Sequence, residues 1–374
     1  MPLTSKNYSF RWRKRKRRCH KKESTNSNNS FIKKYQISQG PTEENMDDLT
    51  VTGKFEVDSK FEMKGVFKGE ISGNDLSLLA FQAESAVRKI IDVGWSVRHF
   101  QNLPNWLQDN DYLLFGHRPP LPSFDACFKS IFRLHTETIN IWTHLLGCMI
   151  FIGIATYFHF WPHLEIETEE KMVFTIFFLG AIACLGFSTI FHTLNCHSET
   201  MGSILVKLDY CGIVFLIVGS YVPWLYFVFY CHFRARMVYL TMMCILGLTS
   251  ITISLWDKFS ENSWKPYRAG IFSTFALTGL IPAIHFGLTE GWLNVFLHKS
   301  LLWLLLSGVC YCTGTVLYAL RIPERFFPGK FDIWLHSHQL FHMFVIGGAL
   351  VHYFGISEIA VHRLVLEQCS AVYE

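Results

Sequence analysis

Seven long stretches without Asp, Glu, Lys or Arg follow one another along the last two thirds of the chain. A helix of about 20 residues crosses the hydrocarbon layer of a membrane, and each stretch has at least that length. One such stretch could form the core of a soluble protein, but seven with short polar connections indicate a polytopic membrane protein. We therefore predict an all-α membrane protein, a seven-transmembrane helix bundle. The stretches cover residues 138–164, 172–198, 210–233, 237–256, 269–289, 300–320 and 333–357.

Charge separates the chain into a polar and an apolar part. Residues 1–138 hold 22 of the 34 Lys and Arg residues and 16 of the 30 Asp and Glu residues. The remaining 236 residues are about 11% charged, too few to cover the surface of a soluble domain. The 11 cysteines are spread along this apolar chain, which excludes a small secreted disulfide scaffold. A formal net charge of +4 gives no reason to expect nucleic acid as a partner.

The polar part predicts two segments outside the membrane. Residues 1–75, rich in Ser, Asn, Gly and charge, predict a disordered cytosolic tail. Its basic run at 11–22 is interpreted as a solvated tail, with binding to anionic lipid or a nuclear-type signal as the alternatives. Residues 76–138 form a cytosolic juxtamembrane region, in which apolar positions at helical spacing predict an amphipathic helix over 76–100.

Basic residues near the ends of the spans predict the orientation of the bundle. With the N-terminus in the cytosol, the inner connections carry seven Lys or Arg residues and the outer ones carry five. Lys129 and Arg133, just before the first span, add to the cytosolic side. The seven spans, residues 139–357, then leave residues 358–374 as an extracellular tail. This orientation and the lack of an Asn-Pro-x-x-Tyr motif in the seventh span disfavour a rhodopsin-type receptor.

Ionisable side chains inside a membrane are costly and indicate function. Asp209 begins the third predicted span and is the one carboxylate at this depth. His192 ends the second span, and His338 and His342 begin the seventh. Given the alternating directions of the spans, all four side chains lie at the cytosolic end. Ser188, one turn before His192, adds a hydroxyl on the same helix face.

These residue types suit a metal site. His338 and His342 are four residues apart, so they share one helix face with Cβ atoms about 6 Å apart. Such a pair alone is more often a packing pair, and the third imidazole and the carboxylate carry the prediction. Three imidazoles with an open position for water form a catalytic-type zinc site, whose water has a pKa of about 7. We predict that the three histidines bind Zn²⁺, with Asp209 and Ser188 as catalytic residues beside the water, an arrangement that supports hydrolysis of a lipid amide.

The other histidines of the spans have no comparable partners in the sequence. We predict that these histidines pack within the bundle or at most line the metal site. They are His144, His159, His285, His336 and His352. Thiolate ligation is not expected, because Cys310 and Cys312 face different sides of a helix and no Cys-x-x-Cys pair exists.

The chain resembles the adiponectin receptors, within the progestin and adipoQ receptor family, from about Trp95 to Gly355. Two of the shared motifs are Gly116-His-Arg-Pro-Pro120 and Lys207-Leu-Asp-Tyr210. The histidine pair of the seventh span completes the set. The other matching segments are residues 104–114, 126–138, 140–147, 196–199 and 222–226.

The resemblance implies roles for individual residues. His192, His338 and His342 match the zinc ligands of the family, and Asp209 and Ser188 match its water-associated acid and helix-two serine. It also implies a plasma-membrane receptor that regulates fatty-acid and sphingolipid metabolism, some members being credited with ceramide hydrolysis. The implied partners are the lipid bilayer, an extracellular adiponectin-like protein ligand, a lipid substrate or fatty acid within the bundle, and a cytosolic adaptor.

Three functions remain open at this point. The first is a zinc-containing receptor of adiponectin-receptor type, in which hydrolase chemistry is either intrinsic or vestigial. The second is a receptor or lipid sensor in which zinc is structural and stabilises the fold by binding. The third is a transporter or proton-coupled protein that uses the cluster as a proton relay.

Overall fold

The computed structural model describes residues 55–57, 61–63, 96–160, 167–293 and 300–366. Within 96–366 the described residues form nine α-helices and several short 3₁₀ turns. They are α1 (Phe124–Ser130), α2 (Thr138–Phe160), α3 (Thr168–Leu194), α4 (Glu199–Val228), α5 (Phe233–Ser254), α6 (Lys265–Leu277), α7 (Leu280–Glu290), α8 (Ser300–Leu320) and α9 (Ser337–Val361).

The predicted seven-span fold is confirmed. Seven helical segments of the described chain are long and apolar enough to cross a membrane. They are α2, α3, α4, α5, the combined α6 and α7, α8 and α9. The fifth span is interrupted at residues 278–279, where Thr278 caps α6 and Gly279 precedes α7. Pro282 follows this break within α7, where its missing N–H falls in the first turn and costs no helical hydrogen bond.

Two spans begin earlier than the uncharged stretches suggest. α3 begins at Thr168, so it contains Glu170, which is buried beside Tyr226 at the end opposite His192. α4 begins at Glu199, where the Ser198 hydroxyl accepts a hydrogen bond from the Met201 N–H. Asp209 therefore lies almost three turns inside α4 rather than at its start.

Small residues bring α3 and α4 into close contact. A Cβ atom added to Gly180 would lie 2.4 Å from the carbonyl oxygen of Phe215, and one added to Gly212 would lie 2.9 Å from the Cα atom of Cys184. Glycine is therefore required at both positions for the two backbones to pack at this separation. Around this contact lies a core of fully buried aromatic side chains that includes Phe151, Phe177, Phe178, Phe227 and Phe229.

Two buried acids of the loop between α8 and α9 hold the segment that precedes α1. The Asp332 carboxylate accepts hydrogen bonds from the backbone N–H groups of Leu114 and Phe115, at 2.9 and 2.8 Å. Glu324, which is fully buried, accepts from the side-chain amide of Asn110 at 3.0 Å and from the N–H of Ser337 at 2.8 Å. The second contact satisfies a free N–H at the first residue of α9, so this acid both ties the loops together and caps the helix.

Two three-residue strands, β1 (Phe55–Val57) and β2 (Phe61–Met63), pair antiparallel within the segment predicted to be disordered. They belong to a separate unit, residues 1–91. The basic run at 11–22 and nearly all of the predicted amphipathic helix at 76–100 lie outside the described residues. α9 ends at Val361, four residues beyond the end expected for the last span.

Candidate metal centre

Three imidazoles from two helices meet at one end of the bundle. His192 lies in the last turn of α3, and His338 and His342 lie in the first two turns of α9. One ring nitrogen from each lies within 4.8 Å of the other two. His192 is 3% exposed and His342 is 1% exposed, whereas His338 is half-buried. The structure thus brings together the three residues that the sequence predicted as metal ligands.

The spacing of the nitrogens suits a divalent cation. The Nε2 atoms of His192 and His338 are 3.2 Å apart. Two nitrogens bound to one tetrahedral ion at 2.0–2.1 Å are about 3.3 Å from each other. The described residues therefore place these two lone pairs at a separation that one ion can bridge, and three imidazoles leave a fourth position open.

The other ring nitrogens of two of these histidines are held by the start of α2. Nδ1 of His192 lies 2.6 Å from a carboxylate oxygen of Glu137. Nδ1 of His342 lies 3.2 Å from the carbonyl oxygen of Asn140. Since an ionised carboxylate and a carbonyl only accept hydrogen bonds, both Nδ1 atoms carry the proton and both Nε2 lone pairs are free for a metal.

The surroundings of Glu137 favour its ionised form. Burial alone would raise the pKa of its carboxyl group, but the neighbouring His192 and Arg118 and the side-chain amide of Asn140 together hold that pKa well below its usual value. The Asn140 amide donates to the same carboxylate oxygen at 2.8 Å. One residue of α2 thus supports Glu137 with its side chain and His342 with its backbone.

Arg118 fixes the backbone on which His192 lies. Its guanidinium is 4% exposed and donates to the carbonyl oxygens of His192 and of Thr193, the latter at 3.0 Å. It also donates to the side chain of Asn195 at 2.8 Å. The last carbonyls of a helix have no partner within the helix, and here a buried cation provides one.

Asp209 and Ser188, the predicted catalytic residues, lie beside the cluster. Both line an apolar cavity of about 220 Å³ that also includes His338 and His342. Asp209 and His338 additionally line a second and more polar cavity of about 500 Å³, here called the polar cavity, whose walls include Asp109, Glu137 and Lys265. The cluster therefore lies where an apolar and a polar cavity share a wall.

His144 packs as predicted, and the structure adds the packing partner that the sequence did not identify. Its ring stacks on that of His342, with the ring centroids 3.5 Å apart, and it lines the apolar cavity. The other histidines that the sequence assigned to packing have local partners. His336 lies 3.2 Å from the Thr136 carbonyl, His352 lies 2.9 Å from the Ser220 carbonyl, and His285 lies 3.0 Å from the Tyr239 hydroxyl.

Sequence reasoning missed the contribution of α2. Glu137, Asn140 and His144 are separated by three and four residues, which places them on one helix face. That spacing was a usable signal, since polar residues recur on one stripe of an otherwise apolar helix. No feature of the sequence near these residues identified α3 and α9 as the helices that this stripe contacts.

The fold and the cluster define a seven-helix membrane protein with a buried three-histidine site at one end of the bundle. A family model described as Haemolysin-III related matches residues 132–353. The chain is 57% identical to the adiponectin receptor protein of Drosophila melanogaster over 319 residues, which cover 84% of this chain and 72% of that protein.

Two further relatives extend the comparison. The progestin and adipoQ receptor-like protein 1 of Caenorhabditis elegans is 52% identical over 76% of this chain, which spans 65% of that protein. The ADIPOR-like receptor IZH2 of Saccharomyces cerevisiae is 36% identical over 79% of this chain and 91% of that protein. The chain therefore belongs to the Haemolysin-III related family, in the group of the adiponectin receptors and the progestin and adipoQ receptor-like proteins.

Proposed function

We propose that the chain is a zinc-containing receptor of adiponectin-receptor type that regulates fatty-acid and sphingolipid metabolism through hydrolysis of a ceramide-type lipid amide. The observation that carries this proposal is the meeting of three imidazoles beside Asp209, at the wall shared by two cavities. Without such a site, the comparisons would support membership of the family but would give no reason to propose a hydrolase reaction.

The donor set favours zinc as the ion. His192, His338 and His342 would hold it through nitrogen, and imidazole is a preferred zinc ligand. Three protein ligands with one open position are typical of catalytic zinc sites, whereas structural sites usually have four. When bound, zinc supplies a Lewis acid and a water with a pKa near 7.

The two cavities suit the two parts of a lipid amide. The apolar cavity is lined by aliphatic and aromatic side chains such as Ile213, Leu216, Phe272 and Leu304, which suit an acyl chain. The polar cavity, with Asp109 and Lys265 in its wall, suits a hydrated head group. An amide between these parts would lie next to the histidines and Asp209.

Asp209 and Ser188 then have separate roles. The Asp209 carboxylate accepts a proton from the attacking water and returns it to the departing amine nitrogen. The Ser188 hydroxyl, 2% exposed, donates a hydrogen bond within the site and helps to orient this carboxylate. The apolar wall keeps other water molecules away from the amide.

The proposal is tested by measuring zinc content and free-fatty-acid release together on the purified protein. We expect about one zinc per chain, and fatty acid released from an added ceramide. His338→Ala should lose both. His159→Ala is the matched control, because His159 is an exposed span histidine outside the cluster, and it should retain both. A wild-type protein without bound metal would overturn the proposal and leave the proton relay as the better hypothesis.

A structural zinc is the second candidate, favoured by the fact that the three histidines tie α3 to α9. In that case binding of the ion stabilises the fold without chemistry. Asp209→Ala separates the two functions. For the hydrolase, turnover falls at least 100-fold while zinc remains bound, as expected for loss of an acid–base group. Unchanged lipid turnover with bound zinc would establish the structural role.

The proposal includes an orientation and partners. We propose a plasma-membrane protein with its N-terminus in the cytosol, so that the histidine cluster lies at the cytosolic end. A relative is named an adiponectin receptor protein, which supports an adiponectin-like extracellular ligand, and the cytosolic segments are available to an adaptor. Labelling of intact cells with an impermeant reagent tests the orientation: a tag after residue 374 should react and one before residue 1 should not.

A further inference from the structure

One side chain that contacts the cluster is not a member of the three-histidine group. Glu137 precedes α2 by one residue, and its carboxylate lies 2.6 Å from Nδ1 of His192. It supplies no ligand atom to the three-histidine group. Its side chain is 27% exposed, while that of His192 is 4% exposed, so the imidazole is deeply buried and the acid lies at the edge.

An imidazole can present either nitrogen to a metal, and the hydrogen bond at the other nitrogen decides which one. The carboxylate of Glu137 can only accept a hydrogen bond from His192, so Nδ1 of His192 carries a proton. The Nε2 atom of the neutral ring then has the lone pair. That Nε2 atom is the one 3.2 Å from Nε2 of His338. The carboxylate thus selects both the tautomer and the direction of the ring.

The carboxylate is itself held in place. The side-chain amide of Asn140 donates to the oxygen that contacts His192, at 2.8 Å. Arg118 donates to the carbonyl oxygen of His192, so the ring and the backbone of this residue are each held by a charged side chain. Carboxylates that orient a metal-binding histidine in this way typically contribute about 10–100-fold to metal affinity.

We infer that Glu137 is a positioning residue that sets the metal affinity of the cluster by fixing the tautomer and orientation of His192. This inference rests on the metal site proposed above. A merely structural role for this acid is the competing explanation, because an acid near the N-terminus of a helix also stabilises that helix through its dipole.

The test measures metal affinity of the purified full-length protein by competition with a chelator for Zn²⁺. Glu137→Ala should weaken binding 10–100-fold. Glu137→Gln should weaken it less, since its amide oxygen still accepts from Nδ1 although its N–H₂ group permits the other tautomer. Glu199→Gln is the matched control: Glu199 is an exposed acid at the first residue of α4, and its replacement should leave affinity unchanged.

A double-mutant cycle separates positioning from helix stabilisation. If Glu137 acts through His192, then Glu137→Ala should not weaken the residual Zn²⁺ binding of the His192→Ala protein any further. An equal additional loss in that background would overturn the inference, as would wild-type affinity in the single Glu137→Ala variant. Absence of zinc binding by the wild-type protein would overturn both this inference and the proposed function, whereas the other two results would leave the proposed function intact.

Discussion

The C-terminal end of α3 and its middle are stabilised by different interactions. At the end with His192, a half-buried carboxylate and a buried guanidinium make hydrogen bonds to the ring and to the last carbonyls. Further along the helix, Phe177 and Phe178 lie in an aromatic core, and Gly180 contacts the backbone of α4. The first region depends on directed bonds between particular atoms and the second on shape and volume.

This difference predicts different responses to substitution. An apolar core of about the right volume tolerates exchange among hydrophobic residues, provided that the backbones keep their separation. A buried polar network does not, because removal of one member leaves its partners without hydrogen bonds. Changes at the polar end should therefore alter both stability and metal affinity, and changes in the aromatic region should alter stability alone.

The largest effect is expected from Glu324→Ala. This substitution removes a fully buried carboxylate and leaves the Asn110 amide and the Ser337 N–H without partners. The loss should lower the free energy of unfolding by about 3 kcal/mol. Because Ser337 begins the helix that carries His338, metal affinity should fall as well. Thermal unfolding in detergent and chelator competition measure the two effects, and unchanged values for both would contradict this account of the polar end.

A smaller effect, confined to stability, is expected from Gly180→Ala. The new Cβ would lie 2.4 Å from the Phe215 carbonyl oxygen, and relief of that clash must move one backbone. We expect a loss of about 2 kcal/mol. Gly153→Ala is the control, because a Cβ there meets nothing within 4 Å. The zinc affinity of both variants should equal that of the wild type, and a large drop for Gly180→Ala would show that the two regions are coupled.

The polar end should also respond to pH through His135. This ring is fully buried, with Nε2 3.0 Å from the Ser130 carbonyl and Nδ1 accepting from the Glu137 N–H. Burial, aided by Arg118, lowers its pKa to about 3. Between this value and the ordinary pKa of about 6.5, the unfolded chain binds a proton that the folded chain does not. Stability should therefore fall as pH falls below 6.5, by at most about 1.4 kcal/mol per pH unit.

The control for this prediction is His135→Gln, which keeps a donor and an acceptor but does not titrate in this range. Both proteins are unfolded thermally at several pH values between 7.5 and 5 with metal removed. As the pH is lowered, the wild-type protein should lose more stability than the His135→Gln variant. A pH-independent difference would exclude His135 as a source of acid sensitivity.

The smallest effect is expected at the surface of α1. Lys129 and Asp125 form an ion pair at 2.7 Å, but both side chains are more than 70% exposed. Exposed pairs of this kind contribute about 0.5 kcal/mol or less, because water screens them. Lys129→Ala should therefore leave thermal unfolding and zinc affinity within error of the wild type. A measurable loss of zinc affinity would show that α1 is coupled to the cluster.

The sequence was sufficient for the spans and for the three histidines. Charge-free length defines a membrane helix because the hydrocarbon layer has a fixed thickness. The histidines stood out because an ionisable group in such a stretch is rare, and helix direction placed them at one end. Both arguments concern only the position of a residue along the membrane normal. In a helix that crosses the membrane, this position follows directly from the residue number.

The contacts that the sequence did not reveal join residues on different helices or loops. The sequence alone does not show which of these elements are neighbours. Glu137 contacts His192, 55 residues away, and Glu324 contacts Asn110, 214 residues away. The stacking partner of His144 is His342, which lies on α9, so the sequence did not identify it. Likewise the early start of α4 is set by the Ser198 cap rather than by charge, so Asp209 lies inside the helix and not at its first residue.

Asn140 links two histidines that belong to different helices. Its amide supports the carboxylate that holds the ring from α3, and its carbonyl oxygen accepts from the ring on α9. A rotation of α2 about its own axis would therefore turn both rings at once, and neither could compensate for the other. A force that tilts or turns the first span, whether from the lipid or from the loops before it, would therefore act on both rings of the proposed metal site together.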